Sequence, residues 1–307
     1  MIEPRPTLLS EFTNDVGYLS AVSWSDIQNQ PTIPTSTSQL TNDSGYITSA
    51  QVDYKISNAI DIWRDWFYEE VPYLLQPFTV RAVQANSSVQ IYTYGSPPSN
   101  SFEYSTDNGS TWSAYTLGTS ISMPNVDDTV MFRNASNSTQ LATFWNACHR
   151  IKGSGRWDVE GNIDSLLNKN FDTTATTYGY YALGSLFEGD GNYCLRNANN
   201  LMLPNHALAD SCYRGTFFNT HLEKGPRMMA TTLAQNCYMG IFNTNGYLNE
   251  IKLDYTGNFD NNAFWGSSTS DDPWCYNVAA SGTFYYNGSD TTSGRYAIPS
   301  GWTVTPF

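Results

Sequence analysis

Charge is scarce in this 307-residue chain, with Lys, Arg, Asp and Glu together making up only 14% of it. Positive charge is scarcest. The formal net charge of -13 argues against nucleic acid, whose phosphates demand clustered Lys and Arg, and against an anionic membrane surface. No run of 18 apolar residues occurs, so no membrane-spanning helix is expected. The opening Met1-Ile2-Glu3-Pro4-Arg5-Pro6 has no charged segment followed by an apolar one, so no secretory signal is expected. The five cysteines, Cys148, Cys194, Cys212, Cys237 and Cys275, form no CxxC and no Cys/His cluster, so a zinc site is not expected. His149, His206 and His221 show no HxxxH spacing, and both the GxSxG elbow and phosphate-binding loops are missing. These absences predict no cofactor and no metal, and a chain that is not an enzyme.

Aromatics are plentiful, at 15%, and the polar surface must come from Asn, Ser, Thr and Gln. That mixture suits a β-rich extracellular or virion protein, and the length suits two or three domains. Within residues 201–248 one phrase is written twice. Leu208-Ala209, Cys212-Tyr213, Gly215 and Phe217 return as Leu233-Ala234, Cys237-Tyr238, Gly240 and Phe242, each after 25 residues. Such a period signals a solenoid, because one unit cannot bury its own Leu, Cys, Tyr and Phe without a neighbouring copy. Cys212 and Cys237 read as small buried residues stacked in the array; a disulfide between them is the less favoured alternative. A degenerate copy lies at Tyr181–Phe187, where Phe187 precedes Phe217 by 30 residues. Residues 153–163 read as a strand leading into the array, and residues 282–304 as a closing strand and cap.

The N-terminal end repeats too. Ser10–Leu19 returns as Ser38–Ile47 at an offset of 28 residues, each copy carrying the turn chemistry Thr-Asn-Asp-x-Gly-Tyr. The segment is too thin to fold alone and needs several chains to share a core; the bland alternative is a linker. These copies, with Trp24-Ser25-Asp26-Ile27 between them, resemble the shaft repeats of bacteriophage tail fibres over residues 8–50. That resemblance implies a homotrimer. Val52, Ile56, Ala59, Trp63 and Trp66 follow at heptad spacing, with Ser49 as N-cap and Pro72 as stop. A short trimeric bundle is favoured over a single amphipathic helix docked on the next domain.

From Thr79 onward, short alternating runs (79–83, 89–94, 102–105 and 129–133) are separated by turn signals, which predicts a small immunoglobulin-like sandwich. Within it, Ser105-Thr106-Asp107-Asn108-Gly109-Ser110-Thr111-Trp112 resembles the Asp-box of sialidase propellers. It reads here as a hairpin closed by Asp and Gly under a Trp, since it occurs once and without an arginine cluster. The expected organisation is therefore mainly β with some α: fibre repeats over 1–50, a trimerising helix over 51–76, the sandwich over 77–135, and a short leucine-rich-repeat-like solenoid over 136–307. The last region resembles the BspA-like leucine-rich repeats of Bacteroidetes and their phages, which Ala230–Phe242, Asn249–Lys252 and Ile298–Val304 fit. Asn243-Thr244-Asn245-Gly246 departs from that pattern.

Glu188, Asp190 and Asn192 could cradle a cation, although a solvated turn is favoured. Asp164, Asp172, Glu188 and Asp190 could pair for glycoside hydrolysis. Both patterns are weak. Tyr193, Trp265, Trp274, Tyr276, Tyr285 and Tyr286 lie among Gly, Asn, Ser and Asp, and flat rings in such surroundings suit sugar faces or protein contacts; they are the expected receptor-binding candidates, with solenoid capping as the alternative. The resemblances together imply a virion tail subunit, self-associating as a homotrimer and joined to other tail proteins through its N-terminal region. It would bind a host surface glycan or outer-membrane protein. A structural or collar fibre, a polysaccharide depolymerase and a bacterial adhesin are the alternatives.

Overall fold

The fold is mainly β, with alternate side chains buried in strands that have one face in the core and consecutive ones in strands covered on both faces. The computed structural model describes residues 71–172, 176–189, 193–205, 207–259, 262–264, 273–293 and 297–307. All of them belong to one of the chain's two units, Arg64–Phe307. The shaft repeats, the heptad positions Val52, Ile56, Ala59, Trp63 and Trp66, and also Asp190, Asn192, His206 and Trp265, lie outside the described residues. A short helix, α1 (Val71–Leu75), comes first. Pro72, expected to stop a helix, instead sits inside this one, in the first turn, where a missing N–H costs nothing.

Eight strands follow in two layers: β1 (Thr79–Ala82), β2 (Ser87–Tyr94), β3 (Phe102–Ser105), β4 (Ser113–Tyr115), β5 (Ile121–Met123), β6 (Thr129–Asn134), β7 (Ala142–Phe144) and β8 (Ala147–Ser154). One layer has the order β5-β2-β8-β7; in the other β1, β6, β3 and β4 are neighbours. β2 alternates buried and half-buried positions along most of its length, as a strand with one face in a core must. Between the layers, the Tyr115 hydroxyl accepts from the Ile91 N–H at 2.9 Å, and the edge of Phe102 meets His149 at 5.5 Å. β7 and β8 lie beyond residue 135, the expected limit of the sandwich, yet β8 pairs with β2 from Tyr94↔Cys148 to Ser88↔Ser154. The two-layered part therefore runs to Ser154.

The first layer does not end at β1. On its other side β1 pairs antiparallel with β9 (Trp157–Asn162). From β9 the same sheet continues in parallel through β10 (Asn200–Leu203), β11 (Lys224–Met228), β12 (Glu250–Leu253), β13 (Thr283–Tyr286) and β14 (Thr303–Thr305), giving ten strands in all. Each coil adds one strand and returns through a stack of turns. In that stack the peptide N–H groups alternate in direction. Those of Tyr213, Gly215 and Phe217 donate to Cys237, Met239 and Ile241 of the next coil, each at 3.0 Å, whereas those of Arg214, Thr216 and Phe218 turn back three residues. Every fourth residue is left-handed: Ser211, Gly215 and Asn219 in one coil, Asn236, Gly240 and Thr244 in the next. This is why Gly recurs with the 25-residue period at Gly215 and Gly240, while Ser, Asn and Thr fill the other left-handed places.

Inside the coils, equivalent aromatics stack. Phe187 lies 5.0 Å from Phe217, nearly parallel, and Phe217 lies 5.8 Å from Phe242. Tyr213 stacks on Tyr238 at 6.0 Å. Cys212 and Cys237 are buried and free, and desolvation pushes the Cys237 thiol up to about 12, so they behave as small apolar residues.

Candidate functional site

The aromatics singled out in the sequence divide sharply. Trp274 and Tyr286 are not surface residues: they are 0% and 2% exposed. Trp274 is the next rung of the phenylalanine stack, 6.1 Å from Phe242, with its indole N–H donating to the Ala297 carbonyl. Tyr286 points inward from β13, against Phe259 at 5.4 Å, and its hydroxyl donates to the Gly257 carbonyl. Tyr285, on the opposite face of β13, is half-buried beside Phe307. Tyr276 is half exposed, its carbonyl accepting from the Thr244 N–H.

Tyr193 is also half exposed, and it has company. Its ring lies 3.8 Å from the His221 ring, nearly parallel, and Tyr247 meets His221 edge-on at 4.7 Å. These three residues come from successive coils, so the period that stacks the core also stacks a strip of outer rings. Desolvation, and then the positive charge of Arg196, lower the His221 pKa below the ordinary histidine range. The ring is therefore neutral near pH 7 and the strip carries no charge of its own.

A second aromatic surface was not expected. The hairpin β7–β8 turns through Trp145-Asn146 and holds Phe144 and Trp145 at 43% and 48% exposure. The turn is fixed from below. Arg150, whose side chain is 2% exposed, donates to the Trp145 carbonyl at 2.9 Å and to Glu188 at 2.8 Å, and its guanidinium covers the Tyr94 ring. Glu188, weighed in the sequence for cation binding and hydrolysis, is thus an ion-pair partner. Gly95 closes the support: a Cβ there would lie 1.9 Å from the Asn146 carbonyl oxygen, and its φ is +67°. Gly95→Ala is expected to destabilise the protein by about 1–3 kcal/mol by overpacking and to shift the Trp145 resonance, as read by urea unfolding and by indole NMR.

Against this hairpin the turn stack forms a cleft of about 250 Å³, floored by Tyr181, Ser185, Gly215 and Gly240 and walled by Trp145 and Phe218. The four floor residues are all left-handed, with φ between +58° and +65°; they are the recurring turn positions of three successive coils. Glu188 and Arg214 reach the same cleft. The only sequence signal was the pair Phe144-Trp145 before Asn146, which reads as easily as a buried strand end.

The remaining acidic candidates are dispersed. Asp164 is buried, taking a hydrogen bond from the Tyr178 hydroxyl at 2.6 Å, and Asp172 lines a separate cleft beside Trp112 and Lys169. The Asp-box segment is the hairpin β3–β4. Asp107 accepts from the Thr111 N–H and hydroxyl, Gly109 N–H donates to Ser105, and the Trp112 indole caps the Gly109 carbonyl. The Thr111 and Ser105 hydrogen bonds hold the Asp107 carboxyl down at about 2, a structural turn as read from its sequence. Among the described residues, no three His, Cys, Asp or Glu side chains are grouped to hold a metal ion, and no helix is long and apolar enough to cross a membrane. Compared with protein-family models, curated proteins and solved structures, the chain has no significant match.

Proposed function

We propose that this chain is a trimeric bacteriophage tail-fibre subunit that adheres to the surface of its host cell, a glycan or an outer-membrane protein. The two-layered part is an immunoglobulin-like spacer, and the parallel coils are a short leucine-rich-repeat-like array that presents the binding surface. Residues 1–50 join other tail proteins, and the stripe Val52, Ile56, Ala59, Trp63 and Trp66 forms the trimer core. The observation that carries the adhesive reading is the strip Tyr193–His221–Tyr247: two half-exposed tyrosines packed against a partly buried imidazole, one face to face and one edge-on, and mounted on a hydrogen-bonded frame. Rigid aromatics lose little entropy when they bind and make effective contact points. Three copies would raise the avidity of a weak contact.

Two measurements test this. The mass in solution of the 34.3 kDa chain is expected to be that of three copies, falling to one when residues 1–75 are removed. The intact chain is expected to bind whole cells of some Bacteroidetes strains, and Tyr193→Ala with Tyr247→Ala to weaken that binding by roughly tenfold or more. A monomeric intact chain removes the fibre. Cell binding that ignores both tyrosines removes the strip.

A further inference from the structure

The cleft beneath the β7–β8 hairpin shares no residue with the Tyr193 strip. Its volume of about 250 Å³ lies below the roughly 300–1,000 Å³ usual for drug-sized ligands, so it suits one small ring better than an extended chain. Its walls are Phe218 and Trp145, the flat indole being half exposed. Its floor is left-handed backbone, and two of the four floor positions are glycine, so a ligand can approach the main chain closely. Its polar groups are fixed in advance. Glu188 is held at 2.8 Å by Arg150, which also anchors the carbonyl of Trp145 itself, so one buried guanidinium sets both the platform and the acceptor. Arg214 adds donors in a planar fork, and Ser185 adds a hydroxyl.

A ligand matched to these groups has one apolar flat face, a rim of hydroxyls, and about the size of a single six-membered ring. We infer that the cleft binds one pyranose unit of a carbohydrate, its C–H face on Trp145 and its hydroxyls shared between Glu188 and Arg214. A carboxylate has about four acceptor directions, so the pairing with Arg150 is compatible with a ligand hydroxyl on the same group. The site deepens the adhesive reading by naming a ligand class. It also stands apart from that reading, since a chain that is not a fibre could still hold a sugar here.

The test uses the full chain and the methyl pyranosides of glucose, galactose, mannose, N-acetylglucosamine and glucuronic acid, followed by saturation-transfer NMR and titration. At least one probe is expected to saturate with a Kd on the order of 1 mM, fitting for so few atoms. Trp145→Ala should weaken it roughly tenfold, and Trp145→Phe by only about threefold, because a flat ring is kept. Tyr247→Ala should leave it unchanged. Preference for the glucuronide would assign its carboxylate to Arg214, and preference for a neutral probe would assign the hydroxyls as described. If no probe saturates at about a hundredfold above that range, or if Trp145→Ala binds as well as the parent with an unchanged melting curve, the proposal is wrong. Loss of cell binding through Tyr193 and Tyr247 while sugar binding persists would separate the two surfaces.

Discussion

Truncating Phe217 to alanine is expected to destabilise the fold by about 3–5 kcal/mol, measured by urea unfolding. Phe217 is fully buried and is the middle rung between Phe187 and Phe242. Its loss removes both ring contacts and leaves a void that hydrogen bonds along the turn stack keep from collapsing. The Phe217 N–H donates to Ile241, and its carbonyl accepts from the Asn245 side chain, so the backbone cannot move in to fill the space. The half-exposed Tyr247 gives the control: Tyr247→Ala should change stability by no more than about 0.5 kcal/mol. A Phe217→Ala cost near that of Tyr247→Ala would mean that the stacked rings do not support the array.

Asp164→Asn is expected to change how stability depends on pH. Asp164 sits in the 3-10 helix after β9, in a buried chain in which Tyr178 donates to it and the Tyr178 hydroxyl lies against that of Tyr213. Desolvation, only partly offset by the Tyr178 hydrogen bond, pushes its carboxyl from 3.8 up to about 6. Between those two values the folded chain holds a proton that the unfolded chain has released, so this group's contribution to stability falls as pH rises. The fall runs from about pH 4 to about pH 6 and amounts to on the order of 2–3 kcal/mol. Asn carries no proton equilibrium in that window. Asp164→Asn should therefore match the parent near pH 4 and exceed it at pH 7. Other carboxylates, Asp107 among them, act with the opposite sign, so the informative quantity is the difference between variant and parent. A difference that stays constant across pH 4–7 would refute the role given to Asp164.

The sequence showed the coils where their turn chemistry repeats and lost them where it does not. Cys212 to Cys237 and Phe217 to Phe242 were legible because each coil places its left-handed turns, one of them a glycine, at the same points. Beyond Phe242 the two columns part: Phe264 follows Tyr238 after 26 residues but Trp274 follows Phe242 only after 32, so the phrase no longer repeats as a unit and Trp274 resembled a surface residue. β2 was legible from alternation, and β6, which buries Val130, Met131 and Phe132 in a row, from its place between turn signals. β7 and β8 were not assigned to the sandwich because nothing local tells a strand which sheet it will join; the register with β2 does that. The Tyr193 strip was half legible, since Tyr193 stood out but His221 and Tyr247 acquire meaning only when coils stack. The Trp145 cleft depends on Gly95, Arg150 and Glu188, which are far apart in the chain and come together only through the fold.

β1 has neighbours on both sides, β6 on one and β9 on the other, and it is the first strand that the chain reaches after α1. The polypeptide therefore joins this body at the middle of its widest sheet instead of at a margin. A tug applied through the residues before Val71 first loads α1, held by Asn162 and Asn200, and then two flanking sets of antiparallel hydrogen bonds in shear, which must give way together before β1 is released. Attachment points built this way resist mechanical load better than a strand that can be unzipped from one edge, whatever the tether upstream is fastened to.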